Sequence, residues 1–348
     1  RFEEELQAKN VPLSPNQLAE LYEDTRPAIM QSLVNEINSK QNLWTASTDQ
    51  ERFYGRLKLC GTLHEGTEGL EEKVYPPGEL ADIPSSFDAR DAFKECKDVI
   101  GHVWDQSACA SCWAIAPVQA FSARLCIKSG GKFNQLLSAG ELLACCNLAH
   151  SCEARGCKGG VARDAWVFLN KHGIATGGDF VPKSSMEAVD GCWPYNFPRC
   201  AHYQKKSKYG PCPKKSYETP SCLDRCPNEK YGTPLDKDRH FTARAVPYWF
   251  NGIRSIKKEI MKHGPTSASF FTYEDFFSYK SGVYKYTSGA YVEFHTVELI
   301  GWGTEKGVDY WLAKNDWNEE WADLGTFKIA QGDCGINDLV LGAPAALN

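Results

Sequence analysis

Fifteen cysteines in 348 residues limit what this chain can become more than any other feature. A reducing cytosol rarely tolerates such a density unless metals or catalysis use the thiols. Most of the cysteines crowd the middle: Cys145, Cys146, Cys152 and Cys157, then Cys192, Cys200, Cys212, Cys222 and Cys226. Zinc would call for paired C-x2-C or Cys/His sets. Cys222-x3-Cys226 comes near that spacing, but no second C-x2-C or histidine pair follows it. Disulfides are therefore the expected use, in an exported protein. An odd count leaves at least one thiol over, and a leftover thiol is a candidate nucleophile. Spacing alone leaves the connectivity open.

Composition removes several classes. A net charge of −5 argues against a nucleic-acid binder, which would carry a basic face. Hydrophobic residues at 42% and aromatics at 12% suit a packed core rather than a disordered chain. The longest apolar stretch, Leu339 to Leu347, falls far short of the roughly 20 residues that span a bilayer. Arg1 to Ala8 lacks the apolar region of a signal peptide, so an export leader is expected to be missing from this chain.

The cysteines also divide the sequence. Residues 1–82 hold only Cys60, and 83–348 hold the other fourteen. In the first part Leu18, Leu21, Ile29, Leu33 and Ile37 recur near helical spacing, with Ser14 as a candidate N-cap. Lys73 to Ser86, rich in proline, reads as an extended linker. A zymogen segment and a small accessory domain both fit this layout. Farther on, Cys112 opens a run in which Val118, Phe121 and Leu125 share one helical face, although Pro117 intrudes. Further helices are expected over Ser138–Cys146 and Ala162–His172, and loops over Gly177–Thr242. From Thr266 the texture turns to β-branched and aromatic runs broken by glycine. Tyr291–Trp302, Asp309–Lys314 and Gly325–Ile329 are expected antiparallel strands. A helical part followed by a β part predicts an α+β chain of two lobes with a cleft between them.

Cys112 stands out chemically. A thiol attacks only as thiolate, and a helix N-terminus lowers its pKa. Its setting reads Gln106-Ser107-Ala108-Cys109-Ala110-Ser111-Cys112-Trp113. This resembles the C-G-[SA]-C-[WY] signature of papain-like cysteine proteases. His295, in Phe294-His295-Thr296-Val297, and Asn315, in Asn315-Asp316-Trp317, follow in the family's order. Cys200-Ala201-His202-Tyr203, closing at Cys212, is similar to the occluding loop of the cathepsin B-like branch. Leu59-Cys60-Gly61-Thr62 and Pro84-Ser85-Ser86-Phe87-Asp88-Ala89-Arg90 resemble its propeptide and mature N-terminus.

The resemblance implies a papain-like fold with a helical lobe mainly over 105–240, a β-barrel lobe mainly over 241–348, and an inhibitory propeptide over 1–82. It implies a cysteine endopeptidase, lysosomal or secreted, made as a zymogen and acting without metal or organic cofactor. Cys112 would be the nucleophile, His295 its base, Asn315 the residue that orients the ring, and Gln106 with the Cys112 N–H the oxyanion donors. Gly159, Gly160, Trp317, His202, Thr296 and Leu339 would line the substrate cleft. The implied disulfides are Cys96–Cys126, Cys109–Cys157, Cys145–Cys222, Cys146–Cys152, Cys192–Cys226 and Cys200–Cys212, leaving Cys60, Cys112 and Cys334 free. Expected partners are peptide or protein substrates, the chain's own propeptide anchored by Trp44, Phe53 and Cys60-Gly61-Thr62, and protein inhibitors of thiol proteases. Acid is expected to loosen that propeptide by protonating carboxylates.

The chain departs from the family pattern beside the site. Ser107, Ala110, Glu293, Phe294 and Ala322 stand where glycines are usual, and Asp316 replaces a serine. A Cβ at such positions costs about 1 kcal/mol where φ is positive, and it narrows the cleft. A degenerate homologue that binds peptides or inhibitors is the alternative function. Tyr203 stands where the family grips a terminal carboxylate, so removal of C-terminal dipeptides is expected to be weak. Leu339 replaces a common acid, so hydrophobic side chains are expected two residues before the cut. Lys205, Lys206, Lys208, Lys214 and Lys215 form a basic cluster expected to be a solvated loop.

Overall fold

The change of texture near Thr266 divides the structure as the periodicities predict, with the helices and only short strands of two or three residues before it and the longer strands after it. A computed structural model describes residues 29–48, 59–63, 66–202 and 207–347. In chain order the elements are α1 (Gln31–Lys40), β1 (Trp44–Ala46), β2 (Glu71–Glu72), β3 (Phe87–Asp88), α2 (Cys112–Lys128), α3 (Ala139–Cys145) and α4 (Ala162–Lys171). Next come β4 (Tyr248–Trp249), α5 (Ile253–His263), β5 (Thr266–Tyr273), β6 (Tyr279–Tyr284), β7 (Tyr291–Glu305), β8 (Val308–Lys314), β9 (Thr326–Ala330) and β10 (Leu339–Gly342). Among the described residues of Gly177–Thr242 the chain forms loops with short helical turns and isolated bridges, as expected.

Local chemistry explains these boundaries. Ser138 Oγ accepts the Glu141 N–H at 2.9 Å and so caps α3. Pro117 does not break α2, which runs through it. The first turn is tightened, since the N–H groups of Ala114 and Ile115 both donate to the Ser111 carbonyl. Leu33 and Ile37 are buried in α1, whereas Ser14, Leu18 and Leu21 lie outside the described residues. Helix α5 is missing from the sequence reading above, although Ile253, Ile256 and Ile260 repeat at helical spacing between Gly252 and Gly264.

The strands join in one sheet, in the order β1-β6-β9-β8-β7-β5-β10-β4-β2, with β3 added on β7. The pairs β6–β9 and β2–β4 are parallel, a departure from the antiparallel expectation; the others are antiparallel. Both ends of this order are N-terminal strands. β1 pairs with β6 and β2 with β4, so the first 82 residues cover two sheet edges that would otherwise present unpaired N–H and C=O groups.

The central strands sort their side chains by the two-residue period. Phe271, Phe294, Leu339 and Leu341 enter a core shared with α2, α3 and α4. Ala268, Phe270, Val297 and Val340 enter a second core with Trp302, Trp311, Trp317 and Trp321. Helix α2 lies buried where the two cores meet, and 15 of its 17 residues are inaccessible.

Six disulfides staple the loops, in the pairing the resemblance implies, and Cys60, Cys112 and Cys334 are free. Cys109–Cys157 ties the loop before Cys112 to the turn that carries Gly159 and Gly160. Cys222 and Cys226 bond to different partners, Cys145 and Cys192. Among the described residues no helix is long and apolar enough to cross a membrane.

Candidate active site

Cys112 is the first residue of α2 and is fully buried. Its sulfur lies 3.3 Å from Thr62 Oγ1, and the backbone N–H groups of Thr296 and Trp113 favour its ionised form. Burial, reinforced by the nearby Asp316 carboxyl, pushes the thiol up to about 12. A helix N-terminus alone would act in the opposite sense, so the covered site holds the sulfur protonated.

The neighbour of Thr296 in β7 is His295. Its Nε2 lies 2.8 Å from Asn315 Oδ1. An amide oxygen only accepts, so Nε2 carries the proton and Nδ1 is the basic nitrogen of the neutral ring. Nδ1 has no hydrogen-bond partner among the described residues. Burial pushes this imidazole down to about 4. Trp317 stacks on it, with centroids 5.1 Å apart and planes at 29°, and so covers the His295–Asn315 bond. The expected residues Cys112, His295, Asn315 and Trp317 are thus gathered by the N-terminus of α2, strand β7 and the loop after β8.

Gln106 is buried, donates from Nε2 to the Cys109 carbonyl at 2.8 Å, and donates its backbone N–H to the Asp316 carbonyl. An amide nitrogen has two hydrogens, so this bond also orients the group. On the opposite wall Thr296, Ser269 and Leu339 are cross-strand neighbours on one face of the sheet. Thr296 Oγ1 bonds both Ser269 Oγ (2.8 Å) and Thr62 Oγ1 (2.6 Å). Leu339 is buried in the same apolar core as Phe271 and Phe294.

Residues 59–63 lie along this cleft as an extended strand. Thr62 N–H donates to the Phe294 carbonyl (3.1 Å), Leu63 N–H to Gly160 (2.7 Å), and Gly160 N–H to Gly61 (2.9 Å). Trp317 Nε1 donates to the Leu59 carbonyl at 2.8 Å. Gly159, at φ +102°, takes a conformation suited to glycine, and a Cβ there would stand 2.9 Å from the Gly61 oxygen. Two more anchors hold this segment. Trp44 packs on Tyr279 and Tyr284 and donates to the Lys285 carbonyl. Tyr75 hydrogen-bonds Glu259, which is itself in a buried 2.8 Å ion pair with Arg124. Phe53 lies outside the described residues.

His202 lies against Asp105, the residue before Gln106. It is buried, with Nε2 2.7 Å from Asp105 Oδ1 and Nδ1 3.3 Å from the Cys212 sulfur. Burial works against the Asp105 carboxylate, yet His202 and Asn318 hold it below the usual range. Cys200, His202 and Cys212 have the spacing of a metal-ligand set. Both sulfurs are spent in one disulfide, so the set offers no thiolate and does not fit a zinc site. Tyr203, Lys205 and Lys206 lie outside the described residues, and Lys208 pairs with Glu319.

The non-glycine substitutions behave in two ways. Ser107 and Ala322 are held at φ +59° and +50°, the left-handed region where a Cβ is costly. Ala110, Glu293 and Phe294 have ordinary φ, so they fill space without backbone strain. Thr62 belongs to an expected prosegment anchor, whereas Ser269 and Asp316 are contacts that sequence reasoning did not assign to the site. Only Asp316 carried a signal, as a departure from the family pattern.

The family model of papain family cysteine proteases matches residues 83–343. The chain is similar to cathepsin B-like cysteine proteinase 6 of Caenorhabditis elegans, at 40% identity over 91% of this chain and 83% of that protein. It is 42% identical to a cathepsin B-like cysteine proteinase of Schistosoma japonicum, over 75% of this chain and 73% of the other. Among solved structures, procathepsin B S9 of Trypanosoma congolense superposes with a TM-score of 0.76 at 27% identity, covering 92% of this chain and all of that one.

Proposed function

Because the chain belongs to the papain family of cysteine proteases, with cathepsin B-like relatives and a proenzyme-like fold, we propose that Cys112, His295 and Asn315 hydrolyse peptide bonds once residues 1–82 are removed. The observation that carries this reading is the strand 59–63, bonded on both sides to the backbone of Gly160 and Phe294 across the Cys112 sulfur. A groove that pairs an extended backbone there is built to present a peptide carbonyl to that thiol.

With the cleft open, the Cys112 proton passes to His295 Nδ1, and the sulfur adds to the scissile carbonyl. The Gln106 amide and the Cys112 N–H stabilise the oxyanion. The imidazolium returns its proton to the leaving amine, and water, deprotonated by the same ring, releases the acid from the thioester. Asn315 keeps Nε2 protonated throughout, and Trp317 excludes water from that bond. Residues 83–348 form the mature enzyme, and the disulfides support an oxidising secretory or lysosomal setting.

Removal of residues 1–82 is expected to leave an enzyme that turns over peptides and is labelled at Cys112 by a thiol-directed peptide epoxide. Labelling without turnover would favour the binding-only alternative, and no labelling would refute the assignment of Cys112.

Specificity follows from the wall formed by Leu339, Phe271 and Phe294, which offers an apolar surface. A substrate library is expected to select Leu, Val or Phe over Arg two residues before the cut, by about tenfold or more. The same library with free and amidated C-termini is expected to show little preference for the free acid, because His202 is committed to Asp105. Selection of Arg, or a strong free-acid preference, would contradict this.

A further inference from the structure

Asp316 has no role in the mechanism above, yet it is the nearest acidic group to the ring that performs it. Its Oδ1 lies 3.6 Å from His295 Nε2. The side chain is 1% exposed, and neither carboxyl oxygen has a hydrogen-bond partner among the described residues. Its backbone is fixed on two sides, because its N–H donates to Asn315 Oδ1 at 2.9 Å and its carbonyl accepts the Gln106 N–H at 2.8 Å. Asn315 Oδ1 therefore serves His295 and Asp316 together and holds the carboxyl in register with the ring. A buried carboxyl with no donor stays neutral unless a cation forms beside it.

The titratable groups around it are few. Cys112 and Tyr195 each lie close enough for the Asp316 charge to raise their pKa. Cys60 does too, but it leaves with the prosegment. Asp105, the second acid, is itself paired with His202. No lysine or arginine pairs with Asp316 among the described residues, so the imidazolium of His295 is the cation within its reach.

We propose that Asp316 is a positioning residue for His295 whose carboxylate, ionised alongside the catalytic imidazolium, moves the whole pH window of catalysis upward. The proposal rests on the assignment of Cys112 and His295 above. In the covered cleft all three groups are neutral: burial holds Asp316 protonated well above the usual range, keeps the ring unprotonated and keeps the thiol intact. Opening the cleft lets a proton pass from sulfur to ring, Asp316 releases its own proton to the water that enters, and the resulting carboxylate faces the imidazolium. Two effects share one sign. The carboxylate stabilises the imidazolium, so the alkaline limb, where the ring loses its proton, rises. It also disfavours a thiolate nearby, so the acid limb, where the sulfur ionises, rises as well.

The test compares the mature enzyme with Asp316→Ser and Asp316→Asn. kcat/KM is measured across pH, together with the rate at which iodoacetamide alkylates Cys112, which reads the thiolate without turnover. Both limbs are expected to fall by about one pH unit in both variants. Superimposable profiles, or limbs that move upward, would overturn the proposal. The Asn variant keeps the shape of the side chain if the Ser variant does not fold. Infrared titration of the wild-type carboxyl needs no variant: an Asp316 protonated throughout the active range overturns the proposal, and one ionised there supports it. A wild-type enzyme with neither turnover nor alkylation at any pH refutes the assignment of Cys112 itself, whereas turnover with unshifted limbs refutes only the role of Asp316.

Discussion

A zymogen carrying Gly61→Ala is expected to lose its latency, with Cys112 alkylated at neutral pH at least about 100-fold faster than in the wild-type zymogen. The added Cβ would land on the Ala110 carbonyl and stand 2.8 Å from the Ala110 Cβ. Ala110 has no room to withdraw. Its N–H donates to the Cys157 carbonyl, and the Cys109–Cys157 disulfide pins the adjoining loop. The strand must therefore lift, giving up its bonds to Gly160 and Phe294. At about 1 kcal/mol for each of those three backbone bonds, the loss corresponds to roughly a hundredfold shift in the covered–open equilibrium. Gly78→Ala is the matched control, because nothing lies within 4 Å of a Cβ at Gly78. A Gly61→Ala zymogen as unreactive as wild type would show that the strand does not govern access to the sulfur.

That tight fit also shows where the sequence stops being informative. Cys112, His295 and Asn315 were legible because each sits in a short motif whose neighbours are fixed by local needs: a helix start, a buried strand, an aromatic lid. The alternation that sends Phe271, Phe294 and Leu339 to one core and Phe270 and Val297 to the other is written in the two-residue period of β5, β7 and β10. Contacts between distant segments left no such mark. Thr62 meets the Cys112 sulfur, and Asp316 meets the His295 ring, only because the strand register and the disulfides bring them together. The replaced glycines illustrate the same limit. Ser107 and Ala322 adopt positive φ while Ala110, Glu293 and Phe294 do not, and that difference is set by the surrounding fold rather than by the residue type.

Glu293→Gln is expected to slow loss of the prosegment at neutral pH and to make release depend more steeply on acid, because a neutral side chain there mimics the protonated carboxyl. In the covered protein burial raises the Glu293 carboxyl from 4.5 to about 7. A group whose pKa is raised in the covered state stabilises that state fully below its open value, and loses the contribution as pH rises through about 7. Acid therefore tightens the cover at Glu293. His295 does the opposite. Burial depresses it from 6.5 to about 4, so its contribution is full above 6.5 and is lost as pH falls toward 4, where the open state takes up the proton. Each shift is worth up to about 3 kcal/mol, so the two nearly cancel between pH 6.5 and 4.5. Among the groups left to trigger release in the wild type is the exposed ion pair of Glu79 with Lys262, where the bond to Lys262 holds the carboxyl below its usual range and acid breaks it. Removing Glu293 leaves the loosening at His295 unopposed. Following prosegment loss by mass near Ile83, the variant is expected to release about 100-fold more slowly than wild type above pH 7.5 and within about fivefold of the wild-type rate at pH 5. Release at the wild-type rate above pH 7.5 would mean that burial does not hold Glu293 neutral beneath the prosegment.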